Sequence, residues 1–415
     1  MPGCICGIFV NYFSIEFERF VKRAMSDSYA RITGWGKYVP EKVITNDDLA
    51  KMVDTNDEWI TSRTGIKERH VRAPGENSSD LAVKASIPAL AMAGLKPTDL
   101  DLIIVANSSP DYYMPPVASI VQDKLGATCG AFSLVAGCSG WVYGLAVANQ
   151  FIEAGTMKRI LVVGAEVISY ALDYTDRSTC VLFGDAAAAV VLEATAQRTG
   201  VMSYELGSDG SGALNLYVPG AGTVHPMDQD VLDQRLGYLR MNGPEVFKFA
   251  TRTVASSLKR VIDQAGLLPE DIDLFIPHQA NLRIIETAAK LMRQPLEKFF
   301  VNIQKYGNTS AASVPLAMVE AIEEGRLKPG DKVAMIAFGS GLTWASVVLQ
   351  FGVKPGAEVE EVKQNGRRMV SARRAFNAVQ DVYQNFAMGV QMRRAASRAA
   401  AKKRAKERMT ASSGR

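Results

Sequence analysis

The chain has 415 residues, is 47% hydrophobic and 22% charged, and carries a formal net charge of +4. That length can bury more than one core, and that balance excludes both a disordered chain and a membrane-embedded one. No run of about 18 uncharged apolar residues occurs, so no transmembrane helix is predicted.

The charge is unevenly placed. Residues 363–415 hold fourteen Lys/Arg against only Asp381 and Glu407, so the rest of the chain is net acidic and the basic tail is a separate object. Five cysteines, an odd number, fit a reducing compartment and hence a cytoplasmic protein. Cys4 and Cys6 lack the partner spacing of a zinc site. No metal or redox cofactor is called for, and no nucleic-acid partner is indicated.

In chain order, the first 28 residues form an extension. Its apolar CICGIFVNYF is followed, not preceded, by basic residues, so no secretory signal is predicted and the extension is expected to add nothing to the fold. SDSYARITGWGKYVP reads as the first strand. SDLAVKASIPALAMAGL reads as a helix that starts at a Ser/Asp cap and stops at Gly94. LIIVANS, RILVVGAEV, DLFIPHQ and KVAMIAF are continuous apolar runs, as strands covered on both faces require. WVYGLAVANQFIEAG and SVPLAMVEAIEEGRL read as helices ending at Gly155 and Gly325. The alternation predicts an α/β fold with helices outside two sheets.

The body carries an internal duplication. GLKPTDLDLII at 94–104 returns as GLLPEDIDLFI at 266–276, 172 residues later. KRILVVG at 158 and DKVAMIA at 331 are 173 apart. Two matches at nearly one offset predict related halves, here 29–197 and 198–354, followed by a linker and tail at 355–415. In the tail, Met369, Ala372, Phe376, Val379, Tyr383, Phe386 and Val390 alternate spacings of three and four, which predicts a helix with one apolar seam. Beyond it, RRAASRAAAKKRAKER is basic. The tail is a candidate for contact with an acidic carrier protein or an anionic membrane surface; a solvated extension without a role is the alternative.

Three segments carry a chemical set. Cys138, in AGCSGWVYGL, sits where a strand turns into a helix, and the positive end of the helix dipole favours its thiolate. Gly137 and Gly140 permit a tight turn there. His278, in PHQANLRII, follows an apolar strand, the place where open α/β sheets put their sites. Asn308, in YGNTSAAS, is by itself an ordinary turn or N-cap residue; with His278 it offers a second neutral donor to a carbonyl oxygen. FGSGLTWAS at 338–346 supplies a glycine turn whose backbone N–H can complete an oxyanion hole with that of Cys138. A thiol, an imidazole and a neutral amide suit acyl transfer and attack of a carbanion on a thioester.

These segments, with WGKYVPEKVITNDDL, DEWITSRTGIKERH, DRSTCVLFGDAAAAVVL and MNGPEVFKFA, resemble β-ketoacyl-[acyl-carrier-protein] synthase III over roughly residues 29–354. The resemblance implies a thiolase-like fold, with duplicated halves in five αβαβα layers, and a homodimer. It implies that Cys138 is acylated, that His278 and Asn308 bind the malonyl thioester carbonyl and promote decarboxylation, and that the N–H groups of Cys138 and Ser340 form the oxyanion hole. Phe338 resembles the aromatic that shields the malonyl carboxylate end, and Asn281 orders the region beside His278. Trp59, Arg63 and Arg177 resemble the coenzyme A contacts, which agrees with the flatness of indole and guanidinium. Lys248, Arg283 and Lys290 resemble a basic surface that docks the acidic carrier protein. Met114, in DYYMPP, falls where the family reaches into the partner's acyl pocket, and Pro244 stands where relatives often have a basic residue. The implied reaction joins an acyl-coenzyme A primer to malonyl-[acyl-carrier protein] with loss of carbon dioxide, initiating fatty-acid biosynthesis.

Two alternatives differ in what they need. A 3-hydroxy-3-methylglutaryl-coenzyme A synthase, or another thiolase-fold acyltransferase, keeps the fold and requires a carboxylate base near the nucleophile, for which Asp111 is the candidate. A non-enzymatic scaffold would leave Cys138 unreactive. The GFGPG-like loop of plant-type polyketide synthases is absent from the sequence.

Overall fold

The computed structural model describes residues 28–352. The extension before Ser28 and the tail with its apolar seam and basic end lie outside the described residues.

The strands are β1 (Tyr29–Tyr38), β2 (Lys42–Thr45), β3 (Glu68–Val71), β4 (Leu102–Ala106), β5 (Gly130–Leu134), β6 (Arg159–Glu166), β7 (Ala186–Thr195), β8 (Gly200–Ser208), β9 (Leu216–Tyr217), β10 (Arg240–Met241), β11 (Leu274–Pro277), β12 (Lys332–Gly339) and β13 (Thr343–Gln350). Two sheets organise them. The first runs β1-β7-β6-β4-β5 and the second β11-β12-β13-β8, while β2/β3 and β9/β10 are small ladders. In the first sheet β4 lies parallel to β5 and β6; in the second β11 lies parallel to β12. The chain leaves the first sheet at Thr195 and enters the second at Gly200.

Strand residues alternate between two cores, as a period of two demands. Ile103, Val105, Leu161 and Val163 face helices Ser78–Ala93 and Val117–Leu125 on the outside of the first sheet. Phe275, Ala334, Ile336 and Phe338 face helices Gly243–Gln264 and Leu282–Met292 on the outside of the second. The opposite faces, with Ile104, Val162, Ile276 and Met335, close on one shared core.

That shared core corrects the expectation that all helices lie outside the sheets. Helices Gly140–Glu153 and Ser313–Glu323 are buried between them, contributing Trp141, Leu145, Ala148, Val314, Ala317 and Met318. Both helices are apolar around most of their circumference, which suits burial on every side and not a half-wet surface. The Trp141 indole N–H donates to Val162 O at 3.4 Å, tying the first of them to β6. The result is the five-layer αβαβα order.

The repeated motif has a shared physical cause. After Gly94 and Gly266, both in the left-handed region at φ 68° and 71°, a single turn is closed by an aspartate on the backbone three residues earlier: Lys96 N–H donates to Asp99 and Leu268 N–H to Asp271, each at 2.8 Å. Two residues on, Asp101 accepts from the N–H groups of Lys158 and Arg159, and Asp273 accepts from Lys332 N–H. The second aspartate thus sets the parallel register of β4 on β6 and of β11 on β12. Helix Ser78–Ala93 begins at Asn77, just ahead of the expected Ser/Asp cap, because Asp80 closes the box on Asn77 N–H.

Candidate active site

Cys138 lies in a short 3-10 turn, Gly137–Ser139, between β5 and the buried helix Gly140–Glu153. The thiol is buried. Burial pushes it up to about 12, Glu166 adds to the rise, and a Ser310 hydroxyl 3.5 Å from Sγ opposes it. The helix terminus is where the sequence put it, and burial acts against the thiolate that the dipole favours.

His278 follows β11 directly, and its N–H continues the ladder to Ile336 O at 2.7 Å. The buried ring meets Phe338 edge-on at 5.1 Å. Burial lowers its pKa to about 3, so the imidazole is neutral, and its Nδ1 has no partner among the described residues. Asn308 is pinned from both sides: its N–H donates to Leu182 O at 2.8 Å and its C=O accepts from Gly184 N–H at 3.0 Å. Ser310 N–H donates to its amide oxygen at 2.8 Å, which leaves the NH2 end as the group available to a ligand carbonyl.

Cys138, His278, Asn308 and Phe338 line one cavity of about 240 Å³, closed by Phe183, Leu216, Phe247 and Ile284 among others. Its floor is a close contact of two glycine turns. A Cβ on Gly137 would stand 2.7 Å from Ser340 N, and one on Gly339 would stand 2.5 Å from Cys138 N. The absence of side chains there lets the Gly137–Cys138 and Gly339–Ser340 backbones pack closely.

Two polar residues of this region, Glu166 and Ser310, escaped the sequence reading. Glu166 ends β6 and is wholly buried; its carboxylate takes the Ser108 N–H at 3.1 Å, the Ser109 hydroxyl and the Ser310 hydroxyl at 3.1 Å. Burial raises it to about 7. The signal was available: a charged residue closes an otherwise apolar strand at the edge where sites form. Asp111, the carboxylate singled out as an alternative base, is instead committed to helix Ser78–Ala93, with both oxygens on Ser79. It does not line the cavity.

The rim gathers the remaining candidates. The Arg63 and Arg177 guanidinium groups lie 4.5 and 5.1 Å from the Trp59 ring centre. Arg177 also donates to Asp54 O at 2.9 Å. Asn281 both lines the cavity and caps helix Leu282–Met292, and its Nδ2 donates to Arg63 O at 3.0 Å, joining the Trp59 helix to the cavity mouth. Arg283, Lys290 and Lys248 are exposed on the two adjoining outer helices, Arg283 also donating to Ser62 O at 2.9 Å and Lys248 facing Glu245 at 3.8 Å. Met114 is 78% exposed and does not line this chain's cavity. Pro244 opens helix Gly243–Gln264 beside the entrance.

Comparison with known proteins decides the family. Residues 132–210 match the 3-oxoacyl-[acyl-carrier-protein] synthase III family and residues 262–351 match its C-terminal part. The β-ketoacyl-[acyl-carrier-protein] synthase III of Caldanaerobacter subterraneus subsp. tengcongensis is 50% identical over 323 residues, covering 78% of this chain and 98% of the relative. The chain belongs to the β-ketoacyl-[acyl-carrier-protein] synthase III family. The synthase III of Clostridium acetobutylicum is also 50% identical, over 77% of this chain and 98% of its own length. Among solved structures, the synthase III of Aquifex aeolicus VF5 is 46% identical with a TM-score of 0.72, covering 78% of this chain and all of that one. As a synthase III, the chain is a condensing acyltransferase of the thiolase fold, in agreement with the layers and the duplication described above.

Proposed function

We propose that this synthase III performs its decarboxylating condensation with Cys138, His278 and Asn308 as the reacting and stabilising groups. An acyl-coenzyme A acylates Cys138 Sγ, and coenzyme A leaves. Malonyl-[acyl-carrier protein] then enters. Its C–C bond to the carboxylate breaks, carbon dioxide departs, and the carbanion attacks the acyl thioester to give 3-oxoacyl-[acyl-carrier protein] and free Cys138. The observation that carries this reading is the convergence of three residues from distant segments on one cavity above the Gly137/Gly339 floor. His278 is neutral and Asn308 presents an amide, so both donate to the malonyl carbonyl without adding an acid that would quench the carbanion.

The rim supports the rest of the reading. Trp59 and the two arginines offer flat faces to an adenine. Lys248, Arg283 and Lys290 offer a basic approach to an acidic carrier. We assign Met114 to the acyl pocket of a second copy in a homodimer: it stands exposed beside Tyr112 and Tyr113, and β5 is an edge strand of its sheet among the described residues. Residues 29–197 supply the nucleophile and residues 198–354 the His/Asn pair. No helix among the described residues is long and apolar enough to cross a membrane, and we place the protein in the cytoplasm, with any membrane contact left to the basic tail. The commitment of Asp111 to Ser79 weighs against a 3-hydroxy-3-methylglutaryl-coenzyme A synthase.

The test is a panel of acyl-coenzyme A primers with malonyl-[acyl-carrier protein], reading carbon dioxide release, 3-oxoacyl product and the intact mass of the acylated enzyme. Acyl mass on Cys138 followed by stoichiometric carbon dioxide is expected. Product formation without carbon dioxide, or acylation at another residue, would overturn the assignment. Truncation after residue 357 should leave turnover unchanged and abolish any binding to anionic vesicles.

A further inference from the structure

We propose that Ser310 and Glu166 form a proton relay for Cys138, with Ser310 the catalytic link at the sulfur and Glu166 a positioning residue that stores the proton. The inference rests on Cys138 being the acylated nucleophile.

The geometry is a chain of three buried groups. Ser310 Oγ is 3.5 Å from Cys138 Sγ and 3.1 Å from Glu166 Oε1. A hydroxyl has one proton. Donated to Glu166, it leaves Oγ open to accept the thiol proton. Glu166 is wholly buried, does not line the cavity, and has no cation in hydrogen-bond or ion-pair contact among the described residues. It therefore cannot touch substrate and can reach the chemistry only through Ser310. The titratable groups that face it are Cys138 and Tyr170, and Arg72 lies near Tyr170.

The backbone gives independent support. The 3-10 turns Gly137–Ser139 and Ser310–Ala312 are equivalent in the two halves, each leading into a central helix. Their first residues share an unusual conformation, φ 52° at Gly137 and φ 51° at Ser310. Glycine adopts it freely, whereas a serine there is strained. The second half thus holds a strained side chain where the first holds none, and that side chain is the one on the sulfur.

The relay also meets a need. The thiol is raised to about 12, so its proton must leave as it attacks, and Glu166 at about 7 can both take and return a proton near neutrality. During acylation, the S–H proton passes to Ser310 Oγ while the Ser310 proton passes to Glu166. Sγ bonds to the acyl carbon, the bond to coenzyme A breaks, and the departing thiolate takes a proton from water. During condensation, the new C–C bond forms, the C–Sγ bond breaks, and the stored proton returns from Glu166 through Ser310 to Sγ.

The experiment measures single-turnover acylation by intact mass from pH 5 to 9, with malonyl decarboxylation measured separately. Glu166→Gln and Ser310→Gly should each slow acylation about 100-fold, the scale for losing a general base. Both should flatten the acid limb near pH 7 and leave decarboxylation within a few-fold of the parent. Glu166→Asp should restore the limb, and His278→Ala should retain it. Wild-type acylation with an intact limb in Ser310→Gly, or equal losses in both half-reactions, would overturn the relay. Should Glu166→Gln fail to fold, Ser310→Gly decides alone, because glycine suits that φ. Acyl transfer to a residue other than Cys138 in the parent enzyme would instead defeat the nucleophile assignment.

Discussion

The two halves share a scaffold and differ in what they place at the ends of their central strands. At one end, Asp101 and Asp273 make the same register-setting bonds. At the other, β6 closes with Glu166 and β12, eight residues long like it, closes with Gly339. The first half puts a buried carboxylate one hydroxyl away from Cys138. The second removes a side chain so that the Cys138 backbone can approach. Duplication supplies two similar surfaces at low cost in new folding information, and divergence at a few strand and helix ends makes their meeting place asymmetric enough for chemistry.

The sharpest way to break that comparison is to remove the residue that only the first half has. Cys138→Ala should abolish the acyl-enzyme seen by mass spectrometry, while carbon dioxide release from malonyl thioester persists, because the second-half donors are intact. His278→Ala or Asn308→Ala should do the reverse. Decarboxylation should fall by about 10²-fold, the scale for one preorganised donor, with acylation of Cys138 retained. Loss of acylation with decarboxylation spared would reverse the roles of the halves.

The pH dependence of stability separates the halves through opposite signs. Glu166 is raised from 4.5 to about 7, so the native state binds the extra proton and stability falls as pH climbs through that window. His278 is lowered from 6.5 to about 3, so the unfolded state binds the extra proton and stability rises as pH climbs through its window. Urea melts should show Glu166→Gln gaining on the parent between pH 5 and pH 8; a constant difference would mean that Glu166 is not perturbed by burial.

The smallest effect belongs to the shared scaffold. Asp101→Ala and Asp273→Ala should each lower stability by about 1 kcal/mol, Asp101 more because it accepts two N–H groups. Denaturant midpoints would read this, with catalytic half-reactions per folded enzyme unchanged.

Strands and their order of appearance were legible because β4, β6, β11 and β12 are unbroken apolar runs between glycine and aspartate punctuation. The placement of the helices was not: a local pattern shows that a helix is apolar, not whether it has one sheet beside it or two. Within the site, Cys138 and His278 stood out as rare residue types at strand-to-helix junctions, whereas Asn308 read as an ordinary turn residue until paired with His278. Glu166 and Asp111 were harder, since a carboxylate at a strand end or loop reads alike whether it caps a helix or sits under a thiol.

The sequence by itself determined the α/β class, the duplication, the family resemblance and the residues with reactive chemistry, because these reside in composition, spacing and local order. Only the tertiary structure decided that Gly339 packs against the Cys138 backbone, that Asp111 is spent on Ser79, and that Ser310 bridges Cys138 to a buried carboxylate. Those facts depend on contacts between residues more than a hundred positions apart, or on which of two neighbours a carboxylate meets. They also bear on protonation: burial, a property of the folded whole, acts against the thiolate that a helix end favours.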